Sequence, residues 1–268
     1  MTDRLTIALA QLNPVVGKID FNLNKLREVR AKAAKAGVDL VVTSELYSCG
    51  YPPEDLVRKP LFISEMTAAI EALAHETGDG GPALLVGAPW VEEDRLHNSQ
   101  VLLDQGQIVA ARHKYDLPNY GVFDEKRYFT SGKQSFIFEC QKTKIGVLIC
   151  EDQWVDGPIK KACRENIDMV ISLNASPFQL NKQSERMSIC QNYAIEFGIS
   201  FIYINMVGGQ DEVVFDGSSF VIDNQGELIF EMPAFEEASL SYNDSSLKQE
   251  PTSDESSIYS ALVLATRD

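Results

Sequence analysis

Cys150, Glu45 and Lys114 each stand where an apolar, strand-like run stops and a loop begins, the position in which an α/β sheet usually exposes its reactive side chains. Cys150 closes the run Ile145-Gly146-Val147-Leu148-Ile149 and is followed by Glu151-Asp152-Gln153-Trp154 and the breaker pair Gly157-Pro158. A thiol with an ordinary pKa of about 8.5 is only a few per cent ionised at neutral pH, so a nucleophilic cysteine needs an adjacent base or cation. Glu45 follows Val38 to Thr43 and leads into Leu46-Tyr47-Ser48-Cys49-Gly50-Tyr51-Pro52-Pro53. A partly buried glutamate there could act as general base if its strand neighbours that of Cys150. Lys114 follows Arg112-His113 and opens a loop running from Tyr115 to Glu125. Taken singly, each has a plainer reading: a free cysteine is usually a small buried hydrophobe, and an isolated lysine is nearly always a solvated charge.

Other chemistry is poorly represented. Of the three histidines, His75 falls in a helical pattern, His97 in a strand approach, and only His113 adjoins a candidate loop, where it reads as a strand-end residue without a second metal ligand. No G-x-S-x-G, H-E-x-x-H, G-x-G-x-x-G or P-loop sequence occurs, which removes the commoner serine-hydrolase, metalloprotease and nucleotide readings. The five cysteines have no C-x-x-C spacing and read as reduced thiols, with Cys49, Cys140, Cys163 and Cys190 in packing roles.

The elements that must position these residues alternate. Leu5 to Ala10 reads as a strand, and a helix after Asp20 places Leu26, Val29, Ala33 and Ala36 on one face before Gly37 ends it. Val38 to Thr43 is a second strand, and Phe62, Met66, Ile70 and Leu73 stripe a second helix. Ala83 to Ala88 follows as a strand, Val101 to Ala111 as two strands turning at Gln105-Gly106, then Phe136 to Phe138, Lys144 to Cys150 and Met169 to Leu173. Met187, Cys190, Ala194 and Phe197 mark a helix stopped by Gly198, Phe201 to Asn205 is a strand, and Ser218 to Glu231 is a hairpin. This order is that of a layered α/β domain.

At 268 residues, 44% hydrophobic and 24% charged, the chain has the composition of a soluble globular protein. Its net charge of −15 argues against nucleic acid and anionic membranes as partners. No run approaches the roughly 20 apolar residues of a membrane helix and no signal-peptide core follows Met1, so a cytoplasmic location is expected.

The segments Ser44-Glu45 with Gly50-Tyr51, His113-Lys114-Tyr115-Asp116-Leu117-Pro118, Ile149-Cys150-Glu151-Asp152 and Asn174-Ala175-Ser176-Pro177 together resemble the nitrilase superfamily of carbon-nitrogen hydrolases. Within it, Tyr51-Pro52-Pro53-Glu54-Asp55-Leu56, Pro118 to Phe129, Cys150 to Trp154, Asn205 to Asp211 and Phe215 to Ser219 are most similar to the glutaminase domain of bacterial glutamine-dependent NAD synthetases. The resemblance implies a four-layered αββα sandwich. It implies that the Cys150 thiolate attacks the side-chain amide of glutamine with Glu45 as general base, and that Lys114 and the backbone N–H of Glu151 meet the developing oxyanion. Glu125 matches a second family glutamate in a supporting catalytic role. Tyr51, Tyr120, Trp154, Ser176 and Lys182 fall where the family binds glutamine, Lys182 replacing an arginine often found there. That substitution exchanges a bidentate fork for a point charge. No cofactor or metal is implied for this step, and the family commonly assembles as homo-oligomers.

Residues 1–240 are expected to form the hydrolase domain, and residues 241–257, within the acidic, serine-rich stretch from Ala234, a linker. Residues 258–268 are similar to the first helix of the synthetase domain that follows in the family, so a truncated enzyme is expected. ATP, Mg and deamido-NAD are implied only for that attached domain, whose S-G-G-x-D-S loop has no counterpart in the 268 residues. Two other readings stay open: a free-standing amidase for another small amide, and a non-catalytic oligomerisation module.

Overall fold

A computed structural model describes residues 5–133, 136–242, 249 and 252–268 of the chain. Its first sheet begins with β1 (Ile7–Gln11), the helix α1 (Ile19–Lys35) and β2 (Leu40–Val42), then α2 (Pro60–Glu76), β3 (Ala83–Glu92), β4 (Arg95–Asp104) and β5 (Gln107–His113). The second comprises β6 (Phe136–Cys140), β7 (Thr143–Ile149), α3 (Asp156–Cys163), β8 (Met169–Asn174), α4 (Lys182–Phe197) and β9 (Ser200–Asn205). After the ribbon of β10 (Val207–Gln210) and β11 (Val213–Asp216) come β12 (Phe220–Ile222), β13 (Leu228–Glu231), β14 (Ala238–Tyr242) and α5 (Asp254–Arg267).

The sheet orders are β14-β1-β2-β3-β4-β5 and β13-β12-β9-β8-β7-β6. β1, β2 and β3 run parallel, as do β7, β8 and β9, so their C-terminal ends share one edge of each sheet. Side-chain alternation builds the layers. Leu9, Val42, Leu85 and Leu102 face Val147, Ile171, Ile202 and Val221 between the sheets. The intervening Ala8, Val41 and Val86 face Leu26, Met66 and Ile70 of α1 and α2. On the far side Leu148, Val170 and Phe201 meet Ile159, Cys190 and Ala194 of α3 and α4. Strands covered on both faces must read as continuous apolar runs, which is why the parallel strands look so uniform in sequence. The four layers, helices, sheet, sheet, helices, are those expected.

Three details differ from expectation. Ala36 is the exposed cap of α1 rather than part of its buried face. β14, which pairs antiparallel with β1 from Ile7↔Tyr242 to Gln11↔Ala238, lies in the acidic, serine-rich stretch and runs two residues into the expected linker. Ala238, Leu240 and Tyr242 alternate with Ser239 and Ser241, a period of two hidden among acids and serines. The helix also starts earlier than Ile258. Ser253 Oγ accepts the N–H of Ser256, and Asp254 and Glu255 occupy the first turn, where acids favour a helix N-terminus. Residues 243–248 and 250–251 of the expected linker lie outside the described residues. At its far end α5 rests on β10 and β11, with Asp268 Oδ2 accepting from Asn13 Nδ2 at 2.7 Å and Gly209 N at 2.9 Å.

Candidate active site

The loops after β2, β5, β7 and β8 meet at the shared strand ends. Glu45, Lys114, Cys150 and Glu125 are all buried there, at 1%, 1%, 4% and 4% exposure. Lys114 Nζ donates to Glu45 Oε1 at 2.6 Å and to Glu125 Oε1 at 2.7 Å. Glu45 Oε1 also accepts Asn98 Nδ2 at 2.7 Å, and its Oε2 accepts the N–H of Ala175 at 3.0 Å. Tyr51 donates its hydroxyl to Glu125 Oε1 at 2.9 Å. Both oxygens of Glu45 are thus fixed by donors from β4 and from the loops that leave β5 and β8.

Close backbone approach holds this geometry. A Cβ on Gly87 of β3 would stand 2.3 Å from Ser44 O and 2.5 Å from Leu46 N, so only glycine lets β3 pass against the backbone of Glu45. Gly132 does the same for Lys114: its N–H meets Lys114 O at 2.7 Å, and a Cβ would lie 2.3 Å from His113 O. Cys150 itself has φ +44°, left-handed backbone that a non-glycine residue adopts at a cost of roughly 1–3 kcal/mol. Asp152 braces that turn. Its Oδ2 accepts the N–H of Ile149 at 3.2 Å, while Oδ1 accepts those of Tyr115 and Asp116 at 3.0 and 2.8 Å. One carboxylate therefore ties the loop after Lys114 to the turn that carries Cys150.

Burial, with Glu45 next in weight, pushes the Cys150 thiol well above its ordinary value, and the opposing pull of Lys114 does not reverse this. Burial would lower Lys114, but Glu125 and Glu45 outweigh it and hold the ammonium protonated, well above the usual lysine range. Glu125 is pushed up to about 7, by burial first, with Lys114 pulling it down and Glu45 adding to the rise. The site therefore rests with a neutral thiol in the field of the Glu45 and Lys114 side chains. That is a workable arrangement for a base-assisted thiol nucleophile.

Of the residues expected to bind substrate, Tyr51 and Ser176 are buried, Trp154 and Lys182 half-buried and Tyr120 exposed. The Tyr120 ring is more than half exposed, and its hydroxyl donates to the Glu151 carboxylate at 3.0 Å. Lys182 Nζ sits 4.0 Å from the Trp154 ring centroid and 2.9 Å from Glu185 Oε2. Ser176 is buried beside Ala175, with its Oγ accepting Arg186 Nε at 3.2 Å.

Asn98, Asp152, Arg186, Asn205 and Asp216 were not picked out from the sequence. Two left a signal. Asn98 lies in the buried polar run His97-Asn98-Ser99-Gln100 that precedes the apolar Val101-Leu102-Leu103 of the same strand, and Arg186 lies on the stripe of Cys190 and Ala194 one turn earlier. The histidines also form an unforeseen pair. His97 and His113 stack at 3.9 Å, the latter ending β5 with Nε2 3.0 Å from Glu92 Oε2.

Comparison with known proteins agrees with this fold. The family model described as carbon-nitrogen hydrolase matches residues 6–249. Glutamine-dependent NAD(+) synthetase of Acinetobacter baylyi is 38% identical over 98% of this chain, which covers 50% of that protein. The structure of glutamine-dependent NAD+ synthetase from Acinetobacter baumannii in complex with ADP superposes with a TM-score of 0.94 at 37% identity, covering 98% of this chain and 51% of that one. The chain spans about half the length of the synthetases it matches. A Glu-to-Gln variant of the amidase from Nesterenkonia sp. AN1, showing covalent addition of the acetamide moiety of fluoroacetamide at its active-site cysteine, superposes with a TM-score of 0.81. It is 25% identical, over 91% of this chain and 92% of its own.

Proposed function

Because the chain belongs to the carbon-nitrogen hydrolase family, we propose that it hydrolyses the side-chain amide of L-glutamine to glutamate and ammonia through a thioester on Cys150. The observation that carries this reading is the convergence of Glu45, Lys114 and Cys150 in one buried site.

Glu45 removes the thiol proton as Sγ attacks the amide carbon. The oxyanion that forms is met by the Lys114 ammonium and by the Glu151 N–H, in a first helical turn where no intrahelical acceptor is available. Removing one such donor typically costs on the order of 3 kcal/mol of transition-state stabilisation. Collapse of the tetrahedral adduct expels ammonia, which takes its proton from Glu45. The carboxylate then activates a water that cleaves the thioester, and its proton returns to sulfur. Glu125 supports the step by holding Lys114 between two carboxylates. The covalent adduct on the amidase cysteine supports Cys150 as the attacking group.

Tyr51, Tyr120, Trp154, Ser176 and Lys182 surround the place for the glutamine side chain and α-carboxylate. The names of the relatives support glutamine as donor. In a longer protein the ammonia would serve an attached synthetase domain that amidates deamido-NAD with ATP and Mg, none of which these residues need for hydrolysis. Assembly into a homo-oligomer belongs to the same reading and is measured by sedimentation.

The second reading, a free-standing amidase, is favoured by the near full-length match to the Nesterenkonia chain. Incubating the purified chain with glutamine and with simple aliphatic amides separates the two. Ammonia from glutamine, abolished by Cys150→Ala, supports the proposal, whereas ammonia from aliphatic amides alone replaces it with the second reading.

A further inference from the structure

We propose that Arg186 is a positioning residue for Glu45 and Ser176, acting through the carbonyls of Ser176 and Pro177 to aim the Ala175 N–H at the Glu45 carboxylate. The proposal rests on the reading of Glu45 as the general base.

Every side of the Arg186 guanidinium is used, although the side chain is wholly buried. Nη2 donates to Ser176 O and to Pro177 O, each at 2.8 Å, and Nε donates to Ser176 Oγ at 3.2 Å. Nη1 donates to the Asp216 oxygens at 2.8 and 2.9 Å and to Gln183 Oε1 at 3.3 Å. Asn205 closes the same cluster: its Oδ1 accepts the Ser176 N–H at 2.9 Å, and its Nδ2 donates to Ser176 O, Asp216 Oδ1 and Gly217 O.

These bonds converge on two consecutive carbonyls in the loop that leaves β8. The residue just before them is Ala175, whose N–H is 3.0 Å from Glu45 Oε2. Asn174 pins the other side, accepting the Glu45 N–H at 3.4 Å while its side chain donates to Ser172 O and Ile204 O. The direction of the Ala175 N–H is therefore set from both sides, and Arg186 sets one of them.

A buried ion pair between Arg186 and Asp216 is an expensive way to gain stability, since apolar residues of similar volume often stabilise as well. A planar fork that grips two carbonyls and a hydroxyl offers something apolar packing lacks, which is direction. It also fills an acceptor site on Ser176 Oγ, so that the hydroxyl proton is left for a further acceptor. Glu45 faces Lys114, Glu125, Cys150 and Tyr51 from the other elements around it. Against those fixed groups, the Ala175 N–H is the donor that Arg186 can tune.

The test uses Arg186→Lys, which keeps the charge and loses the fork, with Asp216→Asn as a milder release of the same clamp. Alkylation of Cys150 by iodoacetamide, followed against pH, reads the base without requiring glutamine. If the Ala175 N–H aims the group that takes the Cys150 proton, turning that donor away should move the acid limb of that profile to higher pH by about half a unit or more. Glutamine turnover should fall about tenfold or more in kcat through misplacement of the base, with KM rising through Ser176. Melting and far-UV circular dichroism establish that each variant is folded. Should Arg186→Lys not fold, the same shift, smaller, is expected of Asp216→Asn. A folded variant with the wild-type alkylation profile overturns the proposal, whereas a shifted profile in a chain inactive on glutamine overturns only the choice of substrate.

Discussion

The ammonium of Lys114 lies 2.6 Å from Glu45 Oε1, and each of the two residues is only 1% exposed. With Glu125 on its other side at 2.7 Å, the lysine joins two carboxylates that water cannot reach. A buried pair of this kind adds little net stability compared with apolar packing, but losing one partner is severe. Lys114→Met keeps the length of the side chain and removes the charge. It should destabilise the chain by about 3–5 kcal/mol, as expected when an uncompensated charge is left buried. Turnover should drop about a hundredfold or more, as for a lost oxyanion donor. Urea unfolding and ammonia release measure the two effects. A variant with an unchanged midpoint and turnover within tenfold of wild type would take Lys114 out of both roles.

Glu125 offers a pH signature. Burial holds its carboxyl up at about 7, above the usual glutamate value of roughly 4.3. The folded state therefore binds more protons than the unfolded chain between these values. The contribution of Glu125 to stability is full below the unfolded value and is lost as pH rises through about 7. Asp152, also pushed up to about 7 by burial, acts with the same sign. Glu125→Gln removes one of the two, so its urea midpoint should fall less than that of the wild type between pH 5 and pH 8. Parallel midpoint curves would mean that Glu125 is ionised throughout.

Gly87→Ala isolates the role of backbone approach. The new Cβ would meet Ser44 O at 2.3 Å, Leu46 N at 2.5 Å and Glu45 C at 2.9 Å, all of them backbone atoms that cannot rotate away. Overpacking of this sort costs about 1–3 kcal/mol and must move the segment that carries Glu45. Turnover should fall about tenfold or more while far-UV circular dichroism is kept, because about 1 Å of misplacement is enough. Full activity in a folded Gly87→Ala chain would show that the Glu45 segment has slack.

What the sequence discloses and what it hides follow from the range of each interaction. Apolar periodicity is local, so Leu26, Val29 and Ala33 or Phe62, Met66, Ile70 and Leu73 announce their helices, and all of them are buried. The ends of β2, β5 and β7 are equally visible, which is why Glu45, Lys114 and Cys150 stand out. That these ends meet depends on strand order within each sheet, set by pairings such as Ile149↔Leu173 and Val42↔Leu85 across long separations, and on how the two sheets stack. The donors that orient Glu45 are hidden for the same reason: Asn98 lies 53 residues away and Ala175 130. β14 is hidden differently. Only three of its five residues are apolar or aromatic, since an edge strand covered on one face needs no more.

Under the proposed reading, Lys182 meets the α-carboxylate of glutamine. Its ammonium sits 4.0 Å from the Trp154 ring centroid and pairs with Glu185, whose side chain is 58% exposed. An exposed pair contributes roughly 0–1 kcal/mol, so an arriving carboxylate can draw the ammonium away at little loss. The ring face meanwhile keeps the charge beside Trp154, an attraction of about 0.5–2 kcal/mol. Lys182→Ala should raise KM for glutamine about tenfold and change kcat less than about threefold, the pattern of a lost ground-state contact. Lys182→Arg should keep the wild-type KM or lower it, because the guanidinium can grip a carboxylate with two bonds and still stack on Trp154. Simple aliphatic amides, which lack an α-carboxylate, provide the internal control and should be turned over equally by wild type and Lys182→Ala. Steady-state kinetics on both substrates measure this directly. An unchanged KM for glutamine in Lys182→Ala would place the carboxylate partner elsewhere, on a side chain that also tolerates loss of this charge.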